Sequence, residues 1–97
     1  MTVYIDPPIW AGHGRLWSHL VSDVSYAELH EFATYIGLPS RAFERDHYDV
    51  IDERYAAVVQ AGARQVSSRE IVRLLNVAGL RRRKVSRLAA GERRAGI

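Results

Sequence analysis

The stretch LWSHLVSDVSYAELHEFATYIGLP, residues 16–39, changes its hydrophobic period midway, and that change decides the fold. Over residues 16–23 the side chains alternate. Trp17, His19 and Val21 fall on one face of an extended chain, and Leu16, Ser18 and Leu20 on the other. From Ser25 the period becomes helical, with Tyr26, Leu29, Phe32, Ala33 and Ile36 on one stripe. Ser25 followed by Glu28 three residues on fits a capping box, in which the serine hydroxyl accepts from a free amide of the first turn. Gly37 supplies the stop and Pro39 closes the helix. A strand running into a capped helix is a building unit of α/β domains.

Upstream, TVYID (2–6) alternates and is rich in β-formers, so it reads as a first strand. Pro7 and Pro8 end it, because neither can donate to a ladder. IWAGHGR (9–15) reads as a glycine-bearing loop. Downstream, residues 40–44 read as one short turn and HYDV (47–50) as a third strand. Asp52 reads as the cap of a second helix, with Tyr55, Ala56, Val59 and Ala63 on its buried side and Gly62 at its end. Residues 64–66 read as a brief fourth strand. Ser67-Ser68-Arg69-Glu70 opens a third helix, with Ile71, Leu74, Leu75 and Val77 apolar and Gly79 at its end. The expected fold is α/β: one small domain over residues 1–79, a three- to four-stranded sheet covered by about three helices, then a basic, flexible tail over residues 80–97.

A chain of 97 residues can bury one core. It has no cysteine, which excludes a disulfide scaffold, a Cys-ligated zinc site and a thiol nucleophile, and fits a reducing compartment. MTVYIDPP has no basic start or apolar run of a signal peptide, and no segment approaches the roughly 18 apolar residues of a membrane span. The expectation is a cytoplasmic protein with no membrane partner. The net charge of +3 hides an asymmetry. Residues 1–78 carry 7 arginines against 10 acidic groups, whereas residues 79–97 carry 7 basic groups against 1. The body is mildly acidic and the tail strongly basic.

Within the body, titratable residues gather on or beside the expected strands. In HYDV, His47 and Asp49 share one strand face while Tyr48 and Val50 share the other. A histidine beside a carboxylate is oriented and made more basic, which suits a general base or a metal ligand. The plain alternative is an edge strand guarded by charge. Asp6 ends the first strand, and His19 lies on the second. Gly12-His13-Gly14-Arg15 offers a flexible backbone and a guanidinium fork for phosphate or carboxylate; its plain alternative is a turn with a surface arginine. Strands about 4.8 Å apart could bring Asp6, Arg15, His19, His47 and Asp49 together.

The leading expectation is therefore a pocket for a phosphate-bearing or otherwise anionic small molecule, such as a nucleotide, bound or hydrolysed there. Arg15 holds the anion, His47 oriented by Asp49 is the acid or base, and His19 and Asp6 position water or a metal. Gly14, His13 and Tyr48 complete the candidate ligand contacts. A divalent metal such as zinc or manganese is a candidate cofactor, although the spacing matches no standard metal motif. His30, at the edge of the helical stripe, reads as structural or solvated. Trp10 reads as a lid, an interface anchor or a folded-back packing residue.

Two other function classes stand beside this one. The segment LRRRKVSRLAAGERR (80–94) places Arg81, Arg82, Arg83, Lys84 and Arg87 where they could hold a nucleic-acid backbone by counterion release, although no aromatic residue is there to stack on bases. Alternatively Trp10, Trp17 and an open sheet edge serve a homo-oligomer or partner interface, and the polar cluster is a buried network that fixes the fold.

In order along the chain, VYIDPP (3–8), GRLWSHLVSD (14–23), YAELHEFA (26–33), HYDV (47–50), ERYAAVVQAGA (53–63) and SSRE (67–70) resemble the small bacterial family catalogued as domain of unknown function 4031. The resemblance spans roughly residues 2–79 and leaves out the tail. Asp6, Gly14, Arg15, His19, Asp23, His47, Tyr48 and Asp49 are among the residues that carry it. It implies a body plan and no particular activity, cofactor or substrate.

Overall fold

The computed structural model describes residues 2–82. Its axis is β3 (Arg15–Ser22), which is hydrogen-bonded along both edges. On one edge it pairs antiparallel with β5 (His47–Ile51), so that Ser18 faces Val50, His19 faces Asp49 and Leu20 faces Tyr48. On the other edge it meets two short strands in succession. β1 (Val3–Ile5) lies antiparallel beside Leu20–Ser22, and β2 (Trp10–Gly12) antiparallel beside Arg15–Trp17. β4 (Phe43–Glu44) pairs outside β5, and β6 (Arg64–Gln65) runs parallel outside β1. The alternation pattern points to three or four strands, whereas the sheet has six. The extra two are β2, inside the stretch that reads as a glycine loop, and β4, inside the stretch that reads as a turn. With three and two residues, neither is long enough to display a period.

Three helices cover the sheet: α1 (Tyr26–Tyr35), α2 (Tyr55–Gln60) and α3 (Ser68–Ala78). The Ser25 hydroxyl accepts from the Glu28 amide at 3.0 Å, and the Ser67 hydroxyl from the Glu70 amide at 3.1 Å, satisfying orphan donors at both helix starts. Gly79 takes the left-handed conformation that ends α3. Asp52 does not cap α2. It lies in a 3-10 turn over Asp52–Arg54, and no side chain caps the helix.

The two faces of the sheet pack differently. On one, Ile5, Leu20, Tyr48 and Val50 form the main core with Leu29 and Ala33 of α1 and Val58 of α2. Each fully buried aliphatic side chain there contributes about 1.5–3 kcal/mol. Val58 is the fully buried valine of α2, Tyr55 and Val59 pack partly buried against the same core as expected, and Ala56 is exposed. On the other face, Val21 packs under Ile71 and Leu75 of α3, while Val77 points outward. Residues 80–82 stay on the body: the Tyr26 hydroxyl donates to the Leu80 carbonyl, and the Arg82 guanidinium lies 4.3 Å over the Tyr26 ring. Arg83, Lys84 and Arg87 lie outside the described residues.

Candidate metal centre

Pleat and register place the first three side chains. His19 and Asp49 are direct cross-strand partners, and His47, two residues before Asp49, shares their face. The His19 and His47 rings stand edge to face, 4.8 Å apart. One donor atom from each of His19, His47 and Asp49 lies within 4.8 Å of the others.

A break in the ladder supplies the fourth. Pro7 and Pro8 end β1 at Ile5, and the next residue, Asp6, is fully buried against β3. Its Oδ1 accepts from the His19 backbone N–H at 2.6 Å. Its Oδ2 accepts from His19 Nδ1 at 2.9 Å, Ser68 Oγ at 2.7 Å and Trp10 Nε1 at 3.1 Å. One carboxylate thus ties β2, β3 and the first turn of α3 together.

A tight turn supplies the fifth. Glu44 pairs with His47, so only Arg45 and Asp46 connect β4 to β5, and Arg45 is forced to a φ of 57°. A non-glycine residue in that region is destabilised by about 1 kcal/mol or more and persists where its surroundings hold it. Here the turn swings Asp46 inward, fully buried. Its Oδ1 accepts from His47 Nδ1 at 2.8 Å, and its Oδ2 accepts from the Arg82 backbone N–H at 2.8 Å and from Arg81 Nη1 at 3.2 Å.

Each histidine therefore donates from Nδ1 to its own buried carboxylate, which leaves Nε2 as the nitrogen each has for the cluster. His47 Nε2 reaches Asp49 Oδ1 at 3.1 Å. Paired carboxylate and imidazole of this kind fix the tautomer and orientation of metal-binding histidines. The electrostatics agree. Burial opposes the charges on Asp6 and Asp46, yet the hydrogen bonds from His19 and Ser68 to the first, and from His47 and the Arg82 amide to the second, hold both pKa values below the usual one. Burial also opposes a charge on His47, but its hydrogen bonds to Asp49 and Asp46 outweigh that and raise its pKa. Both ring nitrogens of His47 thus face carboxylates, and Nε2 is the one turned toward Asp49 in the cluster.

Beside the cluster lies a groove of about 610 Å³. His19 and Asp49 line it together with Trp10, Trp17, Ile51 and Arg41. Trp17 is fixed by donating from Nε1 to the Gly12 carbonyl at 2.8 Å. Arg41 is exposed and has no ion-pair partner among the described residues.

Of the residues singled out in the sequence, the structure brings together Asp6, His19, His47 and Asp49. It does not bring Arg15, whose Nη1 donates to Glu53 Oε1 at 2.5 Å on the exterior, outside the groove lining. His13 and Gly14, both at positive φ, are the two-residue turn of the β2–β3 hairpin; His13 lines the groove. Tyr48 faces the opposite side of the sheet, where its hydroxyl shares a hydrogen bond with His30 Nδ1 at 2.7 Å. Arg81 and the Arg82 amide hold Asp46. Sequence reasoning missed Asp46, Ser68 and Arg41. Strand alternation conceals Asp46, because a residue just before His47 on an extended chain faces away from it; only a two-residue turn swings it back.

No helix among the described residues is long and apolar enough to cross a membrane. No curated protein and no solved structure matches the chain. The model of the family described as protein of unknown function (DUF4031) matches residues 3–78, a span that includes Asp6, His19, Asp46, His47 and Asp49, and the chain belongs to that family.

Proposed function

We propose that this chain binds a divalent cation such as Zn²⁺ or Mn²⁺ through His19 Nε2, His47 Nε2 and the Asp49 carboxylate, and uses it to bind and hydrolyse a phosphate-bearing small molecule. One observation carries the reading. Two imidazoles, each anchored at Nδ1 by a fully buried carboxylate, converge with a third carboxylate so that their donor atoms lie within 4.8 Å. Around a zinc ion with bonds near 2.0–2.1 Å, ligand atoms sit about 3.3 Å apart, so small side-chain movements close the site. Two nitrogens and one oxygen suit zinc or manganese, and three protein ligands leave a position open for water or substrate, as in catalytic sites. A bound cation supplies a water of lowered pKa and a Lewis acid for a phosphoryl oxygen. In this reading His47 is a ligand, not the free acid or base, since both its nitrogens are engaged. Anion attraction in the groove comes from Arg41 in place of Arg15.

The experiment is a Zn²⁺ and Mn²⁺ titration of EDTA-treated protein, followed by hydrolysis of p-nitrophenyl phosphate. One cation per chain is expected, with binding lost in His19→Ala and Asp49→Asn and hydrolysis lost with it. Arg15→Ala should retain both. Cation binding that survives His19→Ala, or that matches a nonspecific surface, sinks the reading.

A further inference from the structure

Two cavities meet at the cation site, and they differ in chemistry. The groove described above is large and rich in tryptophan. The second is a recess of about 200 Å³ between the β4–β5 turn and α3, lined by Arg45, His47, Ser68 and Arg81 with the apolar side chains of α3 behind them. Trp10 and His19 line both. A ligand held at the cation therefore has access to either side.

The recess has the size and the donors for one small anion. It is the smaller of the two cavities, about 200 Å³ against about 610 Å³, so the phosphoryl end of a ligand suits it and the bulkier end suits the groove. Two guanidiniums share it. Arg81 contributes one edge of its fork to Asp46. Arg45 contacts Glu44 through Nη1, while its Nε is buried with no hydrogen-bond partner among the described residues. A guanidinium carries five N–H donors, and among the described residues Arg45 and Arg81 each spend one Nη1 on a carboxylate, which leaves donors on both for an anion in the recess. Arg45 also occupies a left-handed position that a glycine would fill without strain. The turn holds a guanidinium there against the backbone's preference.

We propose that the ligand site is bipartite, with the phosphoryl group seated in the Arg45–Arg81 recess against the cation and a flat ring of the same molecule in the Trp10–Trp17 groove. The class is a phosphomonoester of an alcohol that carries a flat aromatic ring, of which a nucleoside monophosphate is the type. This rests on the cation site proposed above. Asp6, Asp46 and Asp49 surround the histidines with negative charge, so phosphate enters only when the cation is present.

The test uses the whole chain and Arg45→Gly, which removes the guanidinium and accepts the positive φ, so its thermal midpoint should not fall. Mn²⁺ is titrated first by electron paramagnetic resonance. Phosphorus line broadening by bound Mn²⁺ then reports inorganic phosphate, ribose 5-phosphate and adenosine monophosphate. Wild type and Arg45→Gly should bind Mn²⁺ equally. All three phosphates should bind the variant on the order of tenfold more weakly, the scale of one lost charge-assisted hydrogen bond. Adenosine monophosphate should bind wild type more tightly than ribose 5-phosphate. Equal phosphate affinity in the variant, or no preference for adenosine monophosphate over ribose 5-phosphate, overturns the inference while the cation site stands. Absence of Mn²⁺ binding in wild type removes the cation site and the inference together.

Discussion

The pair β3–β5 presents two faces built by the same backbone hydrogen bonds, and they do opposite work. One face places Leu20 against Tyr48, with Val50 alongside, under α1 and α2, and all three side chains are almost wholly hidden from water. The other places His19 against Asp49 with His47 beside them. The dry face holds the strands in register, and the polar face inherits that register as ligand geometry. His30 shows that histidine alone is not the distinction. It meets the Tyr48 hydroxyl and the Phe43 ring, 4.7 Å away, with no carboxylate bonded to it among the described residues, and it serves packing. What separates the polar face is the pair of buried carboxylates behind its imidazoles.

Breaking the dry face should have the largest effect. Leu20 is fully buried at the centre of the main core. Leu20→Ala removes its transfer energy and leaves a cavity, about 3 kcal/mol together. For a domain of this length, that lowers the thermal midpoint by roughly 12 °C or more. Urea unfolding measures it directly. Folded protein should still bind a cation as wild type does, because no ligand is touched. A loss under 1 kcal/mol would mean that this face does not hold the register.

Asp46→Asn attacks the polar face from behind and should matter less to stability and more to binding. The amide keeps one acceptor for His47 Nδ1 but turns its N–H₂ toward the Arg82 amide, itself a donor. Removing a partner that orients a metal-bound histidine weakens metal affinity by about 10- to 100-fold, or 1.4–2.7 kcal/mol. Isothermal titration with Zn²⁺ reads it. Wild-type affinity in a folded Asp46→Asn protein would reduce Asp46 to a packing residue.

Much of this contrast is legible in the chain itself. Alternation over residues 16–23 and 47–50 assigns Leu20 and Tyr48 to one side and His19, His47 and Asp49 to the other, and the register agrees. Capping signals at Ser25 and Ser67 are local chemistry and read directly. The rest depends on geometry that spacing does not carry. Asp46 acts through a two-residue turn, Ser68 through α3 docking against Asp6, and Arg41 through the lining of a groove. Arg15 looked placed for an anion beside its two glycines. A hairpin turn nonetheless sends it outward to Glu53, because β2 is too short to announce itself.

The smallest expected effect is the pH dependence of the two faces. The groups around the His47 ring are Asp46 and Asp49 at its nitrogens and His19 at its edge, with Arg81 acting through Asp46. Its pKa is raised in the folded state, so its contribution to stability is complete below the unfolded value near 6.5 and is lost as pH rises through the folded value. Asp6 and Asp46 have lowered pKa values, so their contributions are present above about 3.9 and are lost as pH falls through the folded values. Cation-free protein should thus be most stable between those ranges, with a shallow decline on each side. Leu20→Ala should lower the whole curve without changing its shape, since its side chain lies on the dry face, away from Asp6, Asp46 and His47. Asp46→Asn should flatten both limbs, because it removes one acidic group and one of the two carboxylates that raise His47. Urea midpoints from pH 4 to pH 9 for the three proteins would separate the faces. If Leu20→Ala changed the alkaline limb as much as Asp46→Asn did, the pH response would belong to the fold as a whole and not to the polar face.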